Sequence, residues 1–170
     1  MNADGSGREA IANHWGSPRW TRNRNLIASL FDYNIALYDP STGQEHLILR
    51  DPPSANYGFS VSPDGKQFCY GGGQSGLYIA TLDEKAMTTT AHQIVKTGSY
   101  HHSSFSPDGK RVVFSRPLPG VNNSLLHIVD VDGKMEPMLI PGQDETKYNC
   151  DPTWSPDGKT IVFSSELPSP

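Results

Sequence analysis

Two adjacent histidines, His101 and His102, are the side chains in this 170-residue chain that best suit metal binding or proton transfer. Imidazole is a common metal ligand, and its ordinary pKa lies close to neutral pH. Neighbouring residues on a β-strand point to opposite sides, so at most one of the two can face a common site. A metal site would need a further ligand, for which His14 and Asp151 are candidates. The alternatives are ordinary hydrogen bonding and ligand contact without catalysis.

Three aspartates, Asp64, Asp108 and Asp157, recur at equivalent positions and resemble repeated catalytic carboxylates. Each stands in the tetrapeptide Ser-Pro-Asp-Gly, where an aspartate accepts hydrogen bonds from nearby backbone within a turn. We therefore predict a structural role for all three. The preceding serines are not predicted nucleophiles, since no Gly-x-Ser-x-Gly elbow and no base accompany them.

The tetrapeptide belongs to a longer motif that organises the whole chain. Three copies, at 61–71, 105–115 and 154–164, contain an apolar residue, then Ser-Pro-Asp-Gly-Lys, then an apolar run. A degenerate copy occupies 20–30. The copies begin at 20, 61, 105 and 154, so they are 41, 44 and 49 residues apart. Repeats of about this period are typical of four-stranded β-propeller blades.

The motif predicts a strand, a tight turn and a second strand. Proline presets φ for the second turn position, and glycine accepts the left-handed conformation of the fourth. The run Val112-Val113-Phe114 is continuously apolar, as expected for a strand buried on both faces. The predicted fold is therefore all-β, built from propeller blades of four antiparallel strands.

The repeats predict one domain, 1–170, that holds about three complete blades and additional strands. Three interpretations of the ring remain open: a segment of a larger propeller, a four-bladed ring lacking one strand, and head-to-tail association of copies. The predicted divisions are the end of one blade at 1–12, blades at 13–50, 54–97 and 100–141, and a partial blade at 148–165.

These repeats resemble the TolB-like, or PD40 (WD40-like), β-propeller family. The resemblance is carried by the three Ser-Pro-Asp-Gly-Lys copies, by the Phe or Trp before two of them, and by the Val-Val-Phe and Ile-Val-Phe runs after them. Residues 1–7 look like the family's marker for the turn between the third and fourth strands. The family includes translocation scaffolds, peptidase gating domains and sugar-degrading lyases, so the resemblance is specific for fold and weak for function.

The resemblance implies a functional rim, where the loops that lead into the innermost strands open. Aligning the copies places aromatic, histidine and other polar residues there, which suit peptide or sugar binding. The predicted ligand-binding residues are His14, Trp15, Tyr57, Tyr100, His101, His102, Tyr148 and Asp151, with Gly16, Ser17, Gly58, Asn149 and Cys150 beside them.

Composition and charge limit the kinds of partner that this chain is expected to bind. The net charge is −4, so no broad basic surface is expected to bind nucleic acid. No stretch approaches the ~18 apolar residues of a membrane span. Cys69 aligns with Val113 and is predicted to pack as a small apolar residue, while Cys150 is predicted in a loop between blades. Neither cysteine has the spacing of a zinc site.

The predicted function is a non-catalytic binding or scaffold module for a protein, peptide or carbohydrate, with no cofactor. The alternative is an oligogalacturonate lyase-like enzyme that uses His101 or His102, with a divalent metal. Other copies of the chain in a homo-oligomer, or the remainder of a larger propeller, are further expected partners. Residues 1–10 are polar and Gly-rich, so no signal peptide is predicted in this chain. The resemblance implies a bacterial protein and allows either a periplasmic or a cytoplasmic location.

Overall fold

The computed structural model describes residues 4, 6–7, 10–11, 15–30, 32–52, 59–71, 75–96, 98 and 100–166. Within these residues the chain forms fourteen β-strands and no helix. The predicted all-β class is therefore confirmed. Most of the predicted blade end at 1–12 lies outside the described residues.

The first two sheets are four-stranded antiparallel meanders, in which each strand pairs with the next along the chain. The first contains β1 (Trp15–Trp20), β2 (Leu26–Leu30), β3 (Ile35–Asp39) and β4 (Gln44–Leu49). The second contains β5 (Ser60–Val61), β6 (Gln67–Gly71), β7 (Leu77–Asp83) and β8 (Thr88–Val95).

The third meander carries an additional hairpin. A single parallel pair, Ser124 with Tyr148, joins β13 to β11, so that the sheet runs β14-β13-β11-β10-β9 with β12 also on β11. The sheets formed by the described residues do not close into a ring. The meander contains β9 (His101–Phe105), β10 (Arg111–Pro117), β11 (Ser124–Asp130) and β12 (Met138–Leu139); the hairpin contains β13 (Tyr148–Trp154) and β14 (Ile161–Glu166).

The Ser-Pro-Asp-Gly turns have the same hydrogen bonds in all three copies. In each turn the serine hydroxyl donates to the aspartate Oδ1 at 2.6 Å, and the following lysine N–H donates to the same oxygen at 3.0–3.1 Å. The serine hydroxyl bond is the largest cause of a lowered pKa for each aspartate. The structural role predicted for Asp64, Asp108 and Asp157 is confirmed.

The degenerate first copy is one residue shorter than the others. Thr21 N–H donates to Asn25 O, whereas Ser62 N–H donates to Gln67 O, which is one residue further along. Trp20 therefore pairs with Leu26, as Val61 pairs with Phe68. β2 spans Leu26–Leu30, the segment that the sequence predicts, and the shorter turn changes only its pairing with β1. Arg24 takes the left-handed turn position, with φ of 66°, that glycine holds in the other copies.

The hydrophobic core lies between successive sheets. One cluster joins apolar residues of the first sheet, such as Ile27 and Leu37, to Phe59 and Phe68 of the second. Another joins Cys69 and other residues of the second sheet to residues of the third. Each sheet is thus stabilised by burying apolar faces against its neighbours.

The junction between the third meander and the β13–β14 hairpin is polar. Asn149 is fully buried, and its Nδ2 donates to Ser124 O at 2.8 Å and to Asp144 O at 3.0 Å. Its Oδ1 accepts a hydrogen bond from Ser165 Oγ at 2.8 Å. The Ser115 and Ser124 hydroxyls donate to the Asn149 carbonyl at 2.7 and 2.6 Å. This one residue therefore links its own strand, β13, to β10, β11 and β14.

Candidate functional site

The innermost strands of the three meanders and of the hairpin line one shared cavity of about 650 Å³. The structure thus places the four copies of the motif around a common space, as a propeller requires. The cavity is lined by Ser17, Arg19, Trp20, Phe59, Ser60, Val61, Ser62, Pro63, His102, Ser103, Ser104, Phe105, Asp151, Pro152 and Thr153.

Three of these strands carry the same backbone irregularity at the cavity. The pairing register shifts between Gly16 and Arg19 in β1, and between Cys150 and Thr153 in β13. In β9 the shift lies opposite the step from Phe114 to Ser115 of its partner strand, β10. At each shift a non-glycine residue has a positive φ: 47° at Ser17, 46° at His102 and 50° at Asp151. The corresponding residue of the second copy is Gly58, which lies outside the described residues.

These bulged residues point to a functional site. A bulge redirects side chains, and a left-handed conformation costs a non-glycine residue roughly 1 kcal/mol or more. Three such residues at equivalent positions, all lining one cavity, form a pattern that local turn formation does not explain. Strained residues of this kind cluster at binding and catalytic sites.

An imidazole–carboxylate pair spans two of these strands. His102 Nδ1 is paired with Asp151 Oδ1, so the bulges of β9 and β13 bring together groups that are 49 residues apart in the sequence. Cys150 Sγ lies 3.6 Å from the other oxygen of Asp151. Burial, followed by the Asp151 charge, raises the pKa of the Cys150 thiol to about 11. The thiol is therefore protonated near neutral pH and is not an activated nucleophile.

Comparison with solved structures shows the same architecture. The chain superposes on a protein described as TolB from Agrobacterium tumefaciens with a TM-score of 0.63 and 25% identity, over 92% of this chain and 55% of that one. The chain has the fold of a TolB-like β-propeller.

Two further propeller proteins support this fold. Hydrazine synthase from Kuenenia stuttgartiensis aligns with a TM-score of 0.66 and 22% identity, over 89% of this chain and 43% of that one. The tricorn protease aligns with a TM-score of 0.60 and 15% identity, over 89% of this chain and 15% of that one. The chain thus spans about half the length of the Agrobacterium and Kuenenia proteins. No protein-family model matches the chain, and no curated protein matches it significantly.

In this TolB-like fold the two adjacent histidines separate, and only His102 lines the cavity. The prediction that at most one would face a common site is confirmed. His101 Nδ1 lies 3.2 Å from the Tyr148 hydroxyl. Burial, followed by the neighbouring His102, lowers the pKa of His101. His101 is therefore neutral near pH 7 and supports β13 from behind the cavity wall.

The other predicted site residues fall into three groups. Tyr100 is 0% exposed and packs edge-on against Phe114 at 5.0 Å, so it belongs to the core between the second and third sheets. Tyr148 is half-buried and contacts His101. His14 and Tyr57 lie outside the described residues, as does the side chain of Trp15, whose backbone begins β1.

Both cysteines are free and buried. Cys69 packs in the core as predicted, and burial raises its pKa to about 12. The prediction that Cys150 lies in a loop between blades was wrong, because β13 begins at Tyr148 and includes it. The strand starts earlier than the apolar pattern indicates, since its first half is held by the polar contacts of Asn149.

A divalent metal would need a set of nearby ligands. Among the residues that the structure describes, no group of three or more His, Cys, Asp or Glu side chains could hold a metal ion. His102 and Asp151 supply only two ligands, so the described residues do not fit a resident metal. In the same part of the chain, no helix is long and apolar enough to cross a membrane.

Several polar cavity residues were missed by the sequence prediction. The position just before the motif holds Arg19, Ser60, Ser104 and Thr153 in the four copies, and all four line the cavity. A consistent polar residue beside a consistent apolar one is the signal of a strand with one face toward a channel. Ser103 adds a bridge to the second sheet, with its hydroxyl 2.9 Å from that of Ser60.

Proposed function

We propose that the chain is a non-catalytic binding or scaffold module that recognises a protein, peptide or carbohydrate through the central cavity and its rim. The observation that carries this proposal is the His102–Asp151 pair at two equivalent bulges of the cavity wall. The strained backbone holds the His102 and Asp151 side chains at the cavity before a ligand binds, which lowers the entropic cost of binding.

The chemistry of the wall suits a polar ligand with hydroxyl or amide groups. Ser60, Ser104 and Thr153 present hydroxyls on separate strands, and Arg19 adds a guanidinium. The indole of Trp20 provides an apolar surface on which a sugar ring or a peptide side chain can pack. Convergent polar groups with an aromatic platform are typical of peptide and carbohydrate sites.

Binding to peptide arrays and to neutral and acidic oligosaccharides tests the proposal. Asp151→Ala should weaken binding of any captured probe about tenfold or more, since it removes one acceptor and releases His102 from its partner. Asp32→Ala is the matched control, because Asp32 does not line the cavity and accepts its hydrogen bonds from Asn34 within its own turn. Equal affinities for Asp151→Ala, Asp32→Ala and the unmodified chain would overturn the proposal.

A second candidate function is a carbohydrate-active enzyme resembling an oligogalacturonate lyase. The specific observation in its favour is again His102 beside Asp151, since a carboxylate can orient an imidazole that acts as a general base. A metal-dependent step would need further ligands, because His102 and Asp151 supply only two among the described residues. If neither Mn²⁺ nor an oligogalacturonide shifts the melting temperature, this candidate should be abandoned.

A further inference from the structure

A second cavity lies between the outer strand of the second sheet and the segment of the third sheet that leads into β12. We call it the lateral cavity. It is lined by residues 93–96 at the end of β8, by Tyr100 and Arg116, and by residues 133–137, and it shares no lining residue with the central cavity. Its volume is about 260 Å³. Because one water molecule takes about 30 Å³ of liquid, a cavity of this size has room for a phosphate group.

The two walls of the lateral cavity are held together by direct contacts between the sheets. The segment before β12 lies on β8, since a Cβ on Gly133 would come within 3.0 Å of Ile94 Cα. His92 Nε2 lies 2.8 Å from Val131 O at the start of the same segment. Tyr100 is fully buried in the cluster that joins the two sheets. The lateral cavity therefore lies at an internal boundary, with a described sheet on each side of it.

Arg116 brings a half-buried positive charge to this cavity. Its guanidinium lies 6.0 Å from the centre of the Tyr100 ring, and no hydrogen bond or salt bridge joins it to another residue that the structure describes. A Cβ on Gly98 would lie 3.6 Å from Arg116 Nε, so the backbone packs closely beside this side chain. Thr97 and Ser99, the sequence neighbours of Gly98, lie outside the described residues and carry no charge. Charges withdrawn from water are normally paired, so this arginine points to an anion.

Two lysines add to the positive charge of the lateral cavity. Lys96 lies at the end of β8, and Lys134 lies in the opposite wall. Lys134 Nζ is 3.0 Å from Asp132 Oδ2, but its side chain is 81% exposed, so this pair is weak and leaves the amine able to turn toward the cavity. Glu136 is the single acidic residue of the described lining. The lining therefore carries three positive charges and one negative charge.

We propose that the lateral cavity binds a phosphate group, either as inorganic phosphate or as the phosphomonoester of a small molecule. A guanidinium donates two parallel hydrogen bonds to phosphate oxygens, and lysine ammonium groups bind the same group as point charges. A doubly charged anion matches three cations better than a single carboxylate does. Because the cations come from both walls, the bound phosphate links the second and third sheets, and it stabilises the folded chain by mass action.

Isothermal titration calorimetry with inorganic phosphate and with glycerol 3-phosphate, at constant ionic strength, tests this inference. Saturable binding and a higher melting temperature are expected. Arg116→Gln should weaken phosphate binding about tenfold or more, since it removes the bidentate donor, and Lys96→Gln should weaken it about threefold. Lys159→Gln is the matched control, because it removes the same charge from an exposed turn that does not line the lateral cavity. Tighter binding of glycerol 3-phosphate would assign the site to a phosphomonoester, and the reverse order would assign it to the free ion.

Glu136→Gln gives the sharpest comparison. It removes the one negative charge of the described lining and should tighten phosphate binding about threefold. A purely structural role of Glu136 would not raise the affinity for phosphate.

Three outcomes would overturn the inference: no saturable binding of either probe up to about 10 mM, equal affinities for the cavity variants and Lys159→Gln, or binding of acetate as tight as that of phosphate. If Arg116→Gln fails to melt cooperatively, the exposed Lys96 and the Glu136 variant decide the test, since their expected effects have opposite signs. The central cavity contains none of these residues, so its ligand binding distinguishes failure of this inference from failure of the proposed function.

Discussion

Strands β10 and β14 are copies of one motif, yet they occupy different environments. Val112, Val113 and Phe114 of β10 are each 0% exposed, because the second sheet covers one face and β13 lies against the other. In β14 Val162 is 62% exposed, and Phe163 is only half-buried. The comparison shows that an apolar run in a repeat protein becomes fully buried only where a neighbouring unit packs against it.

The largest expected effect on stability concerns the equivalent phenylalanines of the two strands, Phe114 and Phe163. Phe114→Ala should reduce the free energy of unfolding by about 3–5 kcal/mol, because it leaves a cavity in a fully buried core. Phe163→Ala, at the equivalent position of β14, should cost roughly 1 kcal/mol, since the ring loses less buried surface. Urea unfolding measures both changes, and equal losses would contradict the difference in burial.

A smaller effect is expected at the polar junction that attaches the β13–β14 hairpin to the third meander. Asn149→Ala should cost about 2–3 kcal/mol, since it leaves buried carbonyl groups and the Ser165 hydroxyl without their partner. Asn122→Ala, in an exposed loop, is the control and should change little. If thermal unfolding gave the same melting temperature for both variants, Asn149 would not be the link between these strands.

The smallest effect concerns the turns, where the two copies should behave alike. Asp108→Asn and Asp157→Asn should lower the melting temperature slightly and equally at pH 7, because both turns have the same hydrogen bonds. The folded-state pKa of each carboxyl is lowered by its serine. Their contribution is thus complete above the ordinary pKa of about 3.9 and is lost as the pH falls through the folded-state value.

Melting curves between pH 7 and pH 2 check this dependence. The unmodified chain should lose stability below about pH 4, and the two asparagine variants should lose less over the same interval. A larger effect at Asp108 than at Asp157 would mean that packing around the turn, and not the turn itself, sets its contribution.

The strands of the strong copies could be predicted from sequence because their turns mark the register. Ser-Pro-Asp-Gly fixes where one strand ends and the next begins, so β6 and β10 begin where the motif places them. The first copy lacks Pro-Asp-Gly, and nothing local reveals that its turn is one residue shorter. The sequence also predicts a strand at Met135–Leu139, but in the structure only Met138 and Leu139 pair with β11.

The site was predictable only in part. Sequence alignment brought His102 and Asp151 to the same rim, but their direct pairing depends on two bulges that no residue type announces. Tyr100 belongs to the core between the second and third sheets, which its aromatic character alone does not indicate. The polar position before the motif could have been found, since its pattern is present in all four copies.

The meander order of the strands has a consequence for how the chain acquires its structure. Among the described strands, every antiparallel pair joins strands that follow one another in the sequence, so each of these sheets can form as soon as its own residues have left the ribosome. None of the described sheets waits for a distant strand, and each finished sheet offers a template for the next. The cavity is different, because its wall needs the first strand and the thirteenth together. Ligand binding would therefore report that assembly has reached its last step.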